Sequence, residues 1–292
     1  MTMKTVEKLP FAGAFILSAL TVSSAQASDL NAKDFYAAPD GTQLDVLYLP
    51  NVWADKYKTK DGDIDGSLSA DVLVWRHVLF TEMCGTLCTP QFVIPLMRTN
   101  IELPGSDSIS SSGIGDPQIG GTLFTINNPE EREYSGLLSM LTLPVGTYDA
   151  DRADASAGHN RWGVTFVYNY TRGLGDHWNI ESSLEAQIYG KNDDYYGNDL
   201  EQKNLYRLQT FVSYDLTPSS YIAASWYEAV GGEMKISGTT IDNTDVSYTM
   251  LGMEYGTWLN QQNSVMFSYQ TTVAAENTFD TNQLMVRLVH AY

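Results

Sequence analysis

Apolar and polar residues alternate with a period of two over most of the chain. In the clearest segment, residues 178–189, Trp178 and Ile180 lie on one face, whereas Asn179 and Glu181 lie on the other. Successive side chains of a β-strand point to opposite faces, so this alternation predicts strands with one apolar and one polar face. The same pattern recurs in residues 161–171 and 205–216.

Twelve such segments follow one another and predict twelve strands, at residues 42–57, 67–80, 91–103, 117–127, 133–144, 161–171, 177–190, 205–216, 220–230, 244–257, 264–272 and 282–292. The connections between them alternate in length. Five are short, and six are longer, polar and acidic, at residues 58–66, 104–116, 145–160, 191–204, 231–243 and 273–281. An even number of strands with short turns on one side and long loops on the other is typical of a transmembrane β-barrel.

A soluble β-sandwich is the alternative arrangement of such strands. It would not explain why the regular strands end in Trp and Tyr, as the aromatic girdles of membrane barrels do. After residue 27, no segment reaches the roughly 18 consecutive apolar residues of a transmembrane helix. We therefore predict an all-β fold, a transmembrane antiparallel β-barrel of about 12 strands that occupies residues 42–292.

The last predicted strand ends on an aromatic residue. Its apolar face carries Leu284, Val286, Leu288 and Tyr292. This ending resembles the C-terminal signature by which outer-membrane barrels are recognised for insertion. The expected partners are therefore the barrel-assembly machinery, outer-membrane lipid and lipopolysaccharide.

The first residues have the features of a secretory signal peptide. A short basic start with Lys4 and Lys8 precedes an apolar run, and Ala25-Gln26-Ala27 supplies a small-x-small cleavage site. We predict a signal peptide at residues 1–27, cleavage after Ala27 and location in the outer membrane of a Gram-negative bacterium. Residues 28–41 are then expected to form a periplasmic N-terminal segment before the barrel.

Composition and charge narrow the function classes. The 292 residues include 17 Lys and Arg against 35 Asp and Glu, a formal net charge of −18. Such a polyanion lacks the basic surface that holds phosphate backbones, so no nucleic-acid partner is expected. Only 18% of the residues are charged, whereas 43% are apolar and 12% are aromatic, a combination that excludes a disordered chain.

Four short segments resemble a known family. They are AKDFYAAPDGTQ at residues 32–43, SGIGDPQIG at 112–120, LPVGTYDADR at 143–152 and HNRW at 159–162. Together with the C-terminal strand, they are similar to motifs of the outer-membrane proteins of the putative MetA-pathway of phenol degradation. The resemblance implies a porin-like channel or transporter for hydrophobic or aromatic compounds, and it specifies no binding residues.

The polar faces of the strands would line the barrel lumen, where function is expected to lie. The predicted solute path comprises Arg161, Glu181, Glu185, Arg207, Asp215, Tyr221, Tyr227, Glu254 and Arg287. Acidic residues outnumber arginines in this set, so we expect a passive, weakly cation-selective channel for small-molecule solutes. The two tyrosines would stack an aromatic solute. Two alternatives stay open: a structural barrel with a plugged lumen, and a lipid-modifying enzyme.

An enzyme would need a nucleophile and a base. Asp154, Ser156 and His159 lie close together in the sequence, but in an Ala-rich loop that we expect to be flexible and solvated. A catalytic triad needs its members on rigid elements within hydrogen-bond reach. We therefore assign no catalytic residue and expect the protein not to be an enzyme.

Two further motifs carry weaker predictions. Asp61, Asp63 and Asp65 form a D-x-D-x-D-G run like the start of a calcium loop, but the twelfth position lacks the bidentate Glu. A polar hairpin loop is the preferred interpretation, with weakly bound Ca²⁺ as the alternative, and no other cofactor is expected. Cys84 and Cys88, in an exported chain, predict a local disulfide.

Overall fold

The computed structural model describes residues 29–83, 85–105 and 107–292. The predicted signal peptide, residues 1–27, lies outside the described residues. Twelve long strands form the wall of the molecule: β1 Gln43–Thr59, β2 Gly62–Leu79, β3 Thr86–Glu102, β4 Gln118–Asn128, β5 Glu133–Thr142, β6 Gly163–Leu174, β7 Trp178–Tyr189, β8 Leu205–Thr217, β9 Ser220–Gly231, β10 Val246–Trp258, β11 Asn263–Glu276 and β12 Asn282–Ala291.

Each wall strand pairs antiparallel with its neighbours in the sequence. The sheet closes because β1 also pairs with β12, with Leu44 opposite Ala291 and Trp53 opposite Asn282. Closure leaves no strand with unpaired backbone groups, which a sheet in lipid requires. The predicted transmembrane barrel of twelve antiparallel strands is therefore confirmed.

The predicted long connection at residues 58–66 is wrong. β1 and β2 stay paired up to Thr59 and Gly62, so a two-residue turn joins them. The polar residues in this region belong to strands that continue beyond the apolar band. Because they are polar on both faces, the sequence pattern predicted a loop. A short strand, Thr81–Met83, follows β2 and pairs with the start of β3, so this hairpin also continues further than predicted, at the opposite end of the barrel.

The outward-facing side chains form the apolar surface that lipid requires. Exposed aromatic residues on this surface are Trp75, Trp162, Phe166, Tyr168, Tyr170, Trp178, Tyr206, Trp226, Tyr255, Trp258, Phe267, Tyr269 and Tyr292. Leu284, Leu288 and Tyr292 of the predicted insertion signal are exposed, and Val286 on the same face is half-buried. In the described ranges, no helix is long and apolar enough to cross a membrane.

The two ends of the barrel differ. The start of β1, the end of β12 and five short turns lie at one end, which we call the terminal end; the long connections and the two-residue turn between β1 and β2 lie at the other, the loop end. The loops contain a four-stranded sheet, formed by Asn192–Tyr195, Asn198–Gln202, Met234–Ile236 and Thr239–Thr240. The other short elements are Ile109–Ile114, the 3₁₀ turn Ala150–Arg152 and Thr278–Phe279.

The loops have an apolar core of their own. Tyr195, Leu200, Met234 and Ile236 pack together with Ala153. The prediction that residues 145–160 form a flexible, solvated loop is therefore wrong. Burial of small alanines under this sheet orders the segment, and such a long-range contact leaves no local signal in the sequence.

Candidate transport lumen and its N-terminal plug

Residues 29–38 lie inside the barrel, and we call this segment the plug. Leu30, Ala32 and Phe35 are each at most 3% exposed within it. The prediction of a periplasmic segment at residues 28–41 is thus wrong for these residues. A barrel of eight strands is filled by its own side chains, whereas twelve strands leave space that a chain segment can occupy.

Backbone N–H groups of the plug donate hydrogen bonds to side chains of the barrel wall. Glu254 Oε1 accepts from the nitrogen of Ala32 at 2.6 Å, and Glu181 Oε1 accepts from that of Lys33 at 2.8 Å. Gln209 Oε1 accepts from Leu30 at 3.1 Å. Because buried backbone groups must be paired, these wall residues specify where the plug lies.

The predicted tyrosines of the solute path also contact the plug. The Tyr227 hydroxyl donates to the carbonyl oxygen of Leu30 at 2.9 Å, and the Tyr221 hydroxyl lies 3.4 Å from that of Ala32. Tyr221 leans over Gly256, where a Cβ atom would clash with its ring. In this state the two tyrosines bind the polypeptide itself.

Ion pairs complete the attachment of the plug. Arg207 pairs with Asp29, Lys33 pairs with Asp215, and Arg287 Nη1 lies 2.6 Å from Asp34 Oδ1. Arg132, in a turn at the terminal end, adds a second contact to Asp215 at 3.3 Å. The plug therefore carries charges that match those of the wall.

The structure places all nine predicted solute-path residues on the inside of the barrel. Arg207 and Glu185 lie directly opposite each other in the register of β8 and β7 and form an ion pair at 3.6 Å. Arg161 lies at the loop end, just before β6, with its guanidinium over the Tyr189 ring at 4.4 Å and Nη2 2.6 Å from Gln202 Oε1. In the strands with regular alternation, the polar face thus lies on the inside of the barrel, as predicted.

Sequence reasoning missed Arg76, which lines the lumen near the terminal end. Arg76 lies on the same face of β2 as the buried Val72, Val74 and Val78. The alternation along β2 therefore indicated that Arg76 faces inward. His77 beside it obscured the alternation. With Arg76 included, the predicted wall set holds four acidic and four basic residues, and the count no longer favours cations.

A cavity of about 470 Å³ separates the plug from the wall at the terminal end, and we call it the vestibule. Its apolar lining includes Val46, Val78, Phe80, Phe124, Met266 and Val289. The charged residues around it are Lys33, Asp34, Arg76, Asp215 and Arg287. A monoaromatic compound is smaller than this space, so the vestibule has the size and lining of a small-molecule site.

The three residues of the candidate triad bind different partners. Ser156 Oγ binds backbone groups of Asp149 and Arg152, and the Asp154 carboxylate accepts from two tyrosines. His159 is largely buried, contrary to the solvated position expected, and its Nδ1 lies 3.6 Å from Asp116. Burial raises the pKa of Asp116, but hydrogen bonds from His159 and Gly146 outweigh it and lower that pKa overall.

The acidic run and the cysteines give no further site. Asp63 pairs with Lys58 at 2.7 Å and lies 3.7 Å from Lys56, and the described part of the chain has no group of three or more His, Cys, Asp or Glu side chains placed to hold a metal. The calcium hypothesis gains no support from this arrangement. Cys88 has a free thiol, whereas Cys84 lies outside the described residues, so the disulfide stays a prediction.

A buried carboxyl group lies within the loop core. Tyr195 donates to Asp154 Oδ1 at 2.6 Å and Tyr196 to Oδ2 at 3.2 Å. Burial raises the pKa of Asp154 from 3.8 to about 7, although both hydroxyls act in the opposite direction. The folded loops therefore favour the protonated acid more than the unfolded loops do.

This shift predicts that the loops are more stable in acid. Stability from Asp154 is fully present below pH 3.8, declines as pH rises, and is lost above about pH 7. We expect faster hydrogen exchange of the loop amides at pH 8 than at pH 5, after correction for intrinsic rates, and a reduced difference in Asp154→Asn. The exposed Asp193→Asn serves as the control and should keep the wild-type difference; equal pH dependence in Asp154→Asn and wild type would contradict the assignment.

Comparison with known proteins agrees with this architecture. The COG4313 outer membrane channel from Pseudomonas putida F1 is 24% identical, with a TM-score of 0.85 over 90% of this chain and 100% of that one. The transport unit of the autotransporter AIDA-I from Escherichia coli is 9% identical, with a TM-score of 0.59 over 96% of this chain and 99% of that one. These similarities show the barrel fold. No curated protein matches the chain.

A family model identifies the chain more specifically. The model of the family Putative MetA-pathway of phenol degradation matches residues 36–288, which cover nearly the whole barrel. The match confirms the resemblance carried by the four short segments and the C-terminal strand. The protein therefore belongs to the family Putative MetA-pathway of phenol degradation.

Proposed function

We propose that the protein is a passive channel of the bacterial outer membrane for small apolar or aromatic compounds. The observation that carries this proposal is the vestibule of about 470 Å³ between the plug and the wall. Its lining is mostly apolar with a few convergent polar groups, as in small-molecule sites. Membership of the family and the fold shared with a solved outer membrane channel support the same function.

The plug explains how such a protein would avoid being a permanent pore. Hydrogen bonds and ion pairs to Glu181, Glu254, Arg207, Arg287 and Asp215 hold the plug, together with apolar packing of Leu30, Ala32 and Phe35 against the wall. Such contacts exchange with water when the plug moves, so the lumen can open without breaking a wall strand. We propose that the loop end is extracellular, the terminal end periplasmic, and insertion dependent on the barrel-assembly machinery, with lipopolysaccharide around the loop end.

We attribute the proposed weak cation selectivity to the charge of the loops and not to the charge of the lumen wall. The wall set is balanced between acidic and basic residues, whereas acidic residues outnumber basic ones in the long connections. A negative outer mouth concentrates cations there. This preference should decrease at high salt, because the screening length falls to about 3 Å at 1 M.

A structural barrel with a permanently plugged lumen is the second candidate, and the plug itself favours it. Planar bilayers with lipopolysaccharide in the outer leaflet separate the two. As a channel, the purified protein should give small, flickering ion currents that dissolved phenol reduces by transient occupancy of the lumen. Cells expressing it should also take up labelled phenol faster than cells with the empty vector. Silent bilayers together with unchanged uptake would favour the structural role.

A further inference from the structure

The strongest unexplained feature of the lumen is the cationic side of the vestibule. Three cations, Lys33, Arg76 and Arg287, line the cavity against two carboxylates, Asp34 and Asp215. Asp34 pairs with Arg287, and Asp215 pairs with Lys33. One positive charge is therefore left over in a protein whose net charge is −18.

That charge belongs to Arg76. Its Nε donates to Gln91 Oε1 at 2.6 Å and its Nη1 to the Tyr48 hydroxyl at 3.3 Å, both neutral groups. Among the described residues, no carboxylate lies within 4.0 Å of its guanidinium. A half-buried guanidinium without an anionic partner is costly, and arginine is the residue best suited to bind a carboxylate through two parallel hydrogen bonds.

Unused hydrogen-bond donors surround this charge. The Nε2 atom of Gln91, whose Oε1 binds Arg76, is buried and has no partner, and the same holds for Nε of Arg287. Tyr48 lies directly opposite Arg287 in the register of β1 and β12, and its hydroxyl accepts from Arg76. The tyrosine thus stands between two guanidinium groups that both retain donor capacity.

Apolar side chains line the same cavity as Tyr48, Arg76 and Arg287. Val46 is the cross-strand neighbour of Arg76, and Val78, Phe80 and Met266 complete this side of the cavity. A ligand whose acceptor group binds Arg76 would therefore place its apolar part against these residues. The volume of about 470 Å³ accommodates one aromatic ring with a carboxylate.

We propose that the vestibule binds the carboxylate of a small aromatic acid, with Arg76 as its principal partner and Tyr48 and Arg287 beside it. This inference rests on the proposed channel function and names the solute class. The acidic loops do not oppose it, because they are exposed to solvent at the far end of the barrel and their field is screened within about 8 Å at physiological salt. The vestibule opens at the terminal end.

Binding to the full-length mature protein in lipid nanodiscs tests the site directly. Benzoate is the probe, and benzyl alcohol is the neutral analogue of similar size; calorimetric titration measures both. Wild type should bind benzoate at least about tenfold more tightly than benzyl alcohol, because hydrogen bonds to charged groups are worth about 1.5–3 kcal/mol. Arg76→Gln should lose that preference and bind both compounds alike.

The control is Arg98→Gln, because Arg98 faces outward and lies opposite Asp71. This variant should keep the wild-type preference. Tyr48→Phe, which keeps the ring and removes the hydroxyl, should weaken benzoate binding by a smaller factor than Arg76→Gln. If wild type does not prefer benzoate, or if Arg76→Gln keeps the preference, the site is wrong even where bilayer currents support a channel. Preferential benzoate binding by a protein silent in bilayers would uphold the site and reject the channel.

Discussion

Deletion of residues 29–38 is expected to raise the single-channel conductance about tenfold, because the plug fills the lumen that twelve strands would otherwise leave open. The deletion removes Leu30, Ala32 and Phe35 from the interior, together with every plug contact to Glu181 and Glu254. Conductance in planar bilayers measures the effect. The currents should also lose their flicker, since no mobile segment would remain to enter and leave the lumen.

A control of equal length separates filling from attachment. Replacement of residues 29–38 by a Gly/Ser segment keeps the chain length but removes Asp29, Lys33 and Asp34, which form the ion pairs. We expect this variant to flicker between the wild-type and the deleted conductance. Heat-modifiable migration in gels checks that both proteins fold. Wild-type conductance in a folded deletion variant would show that the plug does not limit the current.

Substitution of Leu288 by Asp is expected to block barrel assembly. Leu288 faces lipid on β12, between Leu47 and Val265, and a charge on the lipid face away from the interface costs about 2 kcal/mol. Deletion of Tyr292 should have a similar effect. The Tyr292 backbone nitrogen donates to the carbonyl oxygen of Gln43 at 3.0 Å, and its hydroxyl donates to Asp45 at 2.8 Å, so this residue closes the seam of the barrel.

Asn282→Asp provides the matched control for the charge. Asn282 lies on the same face of β12 as Leu288 but at the loop end, where a charge meets the interface and costs about 0–1 kcal/mol. The amount of folded barrel in outer-membrane fractions measures assembly. Efficient assembly of Leu288→Asp would overturn the assigned register of the last strand.

The alternation of single residues was sufficient for the wall of the barrel. Along β7, Glu181 and Glu185 alternate with Ile180 and Leu184, and the structure places the first pair inside and the second outside. A one-residue shift would move every side chain to the other face. In a regular strand, the alternation therefore defines which side chains face the lumen and which face lipid. The prediction failed where this local rule is blurred, as at Arg76 beside His77, and where polar residues continue a strand beyond the apolar band, as at residues 58–66.

The plug, by contrast, could not be read from the sequence. Residues 29–38 show no strand periodicity, and their partners Glu181, Gln209 and Glu254 are about 150 to 220 residues away. Each wall carboxylate could equally have faced water in an open lumen. Only the closed barrel brings these groups around the plug. There they pair with its buried backbone N–H groups, and these hydrogen bonds determine its position.

The sequence by itself therefore determined the number of strands, their inward and outward faces and the family, because each follows from local alternation or short motifs. The tertiary structure alone decided that the lumen is occupied, that residues 145–160 are ordered beneath a small sheet, and that Arg76 is left without a carboxylate beside a cavity. These features depend on contacts between residues that are far apart in the sequence and become neighbours only when the barrel closes. Local sequence patterns therefore do not indicate them.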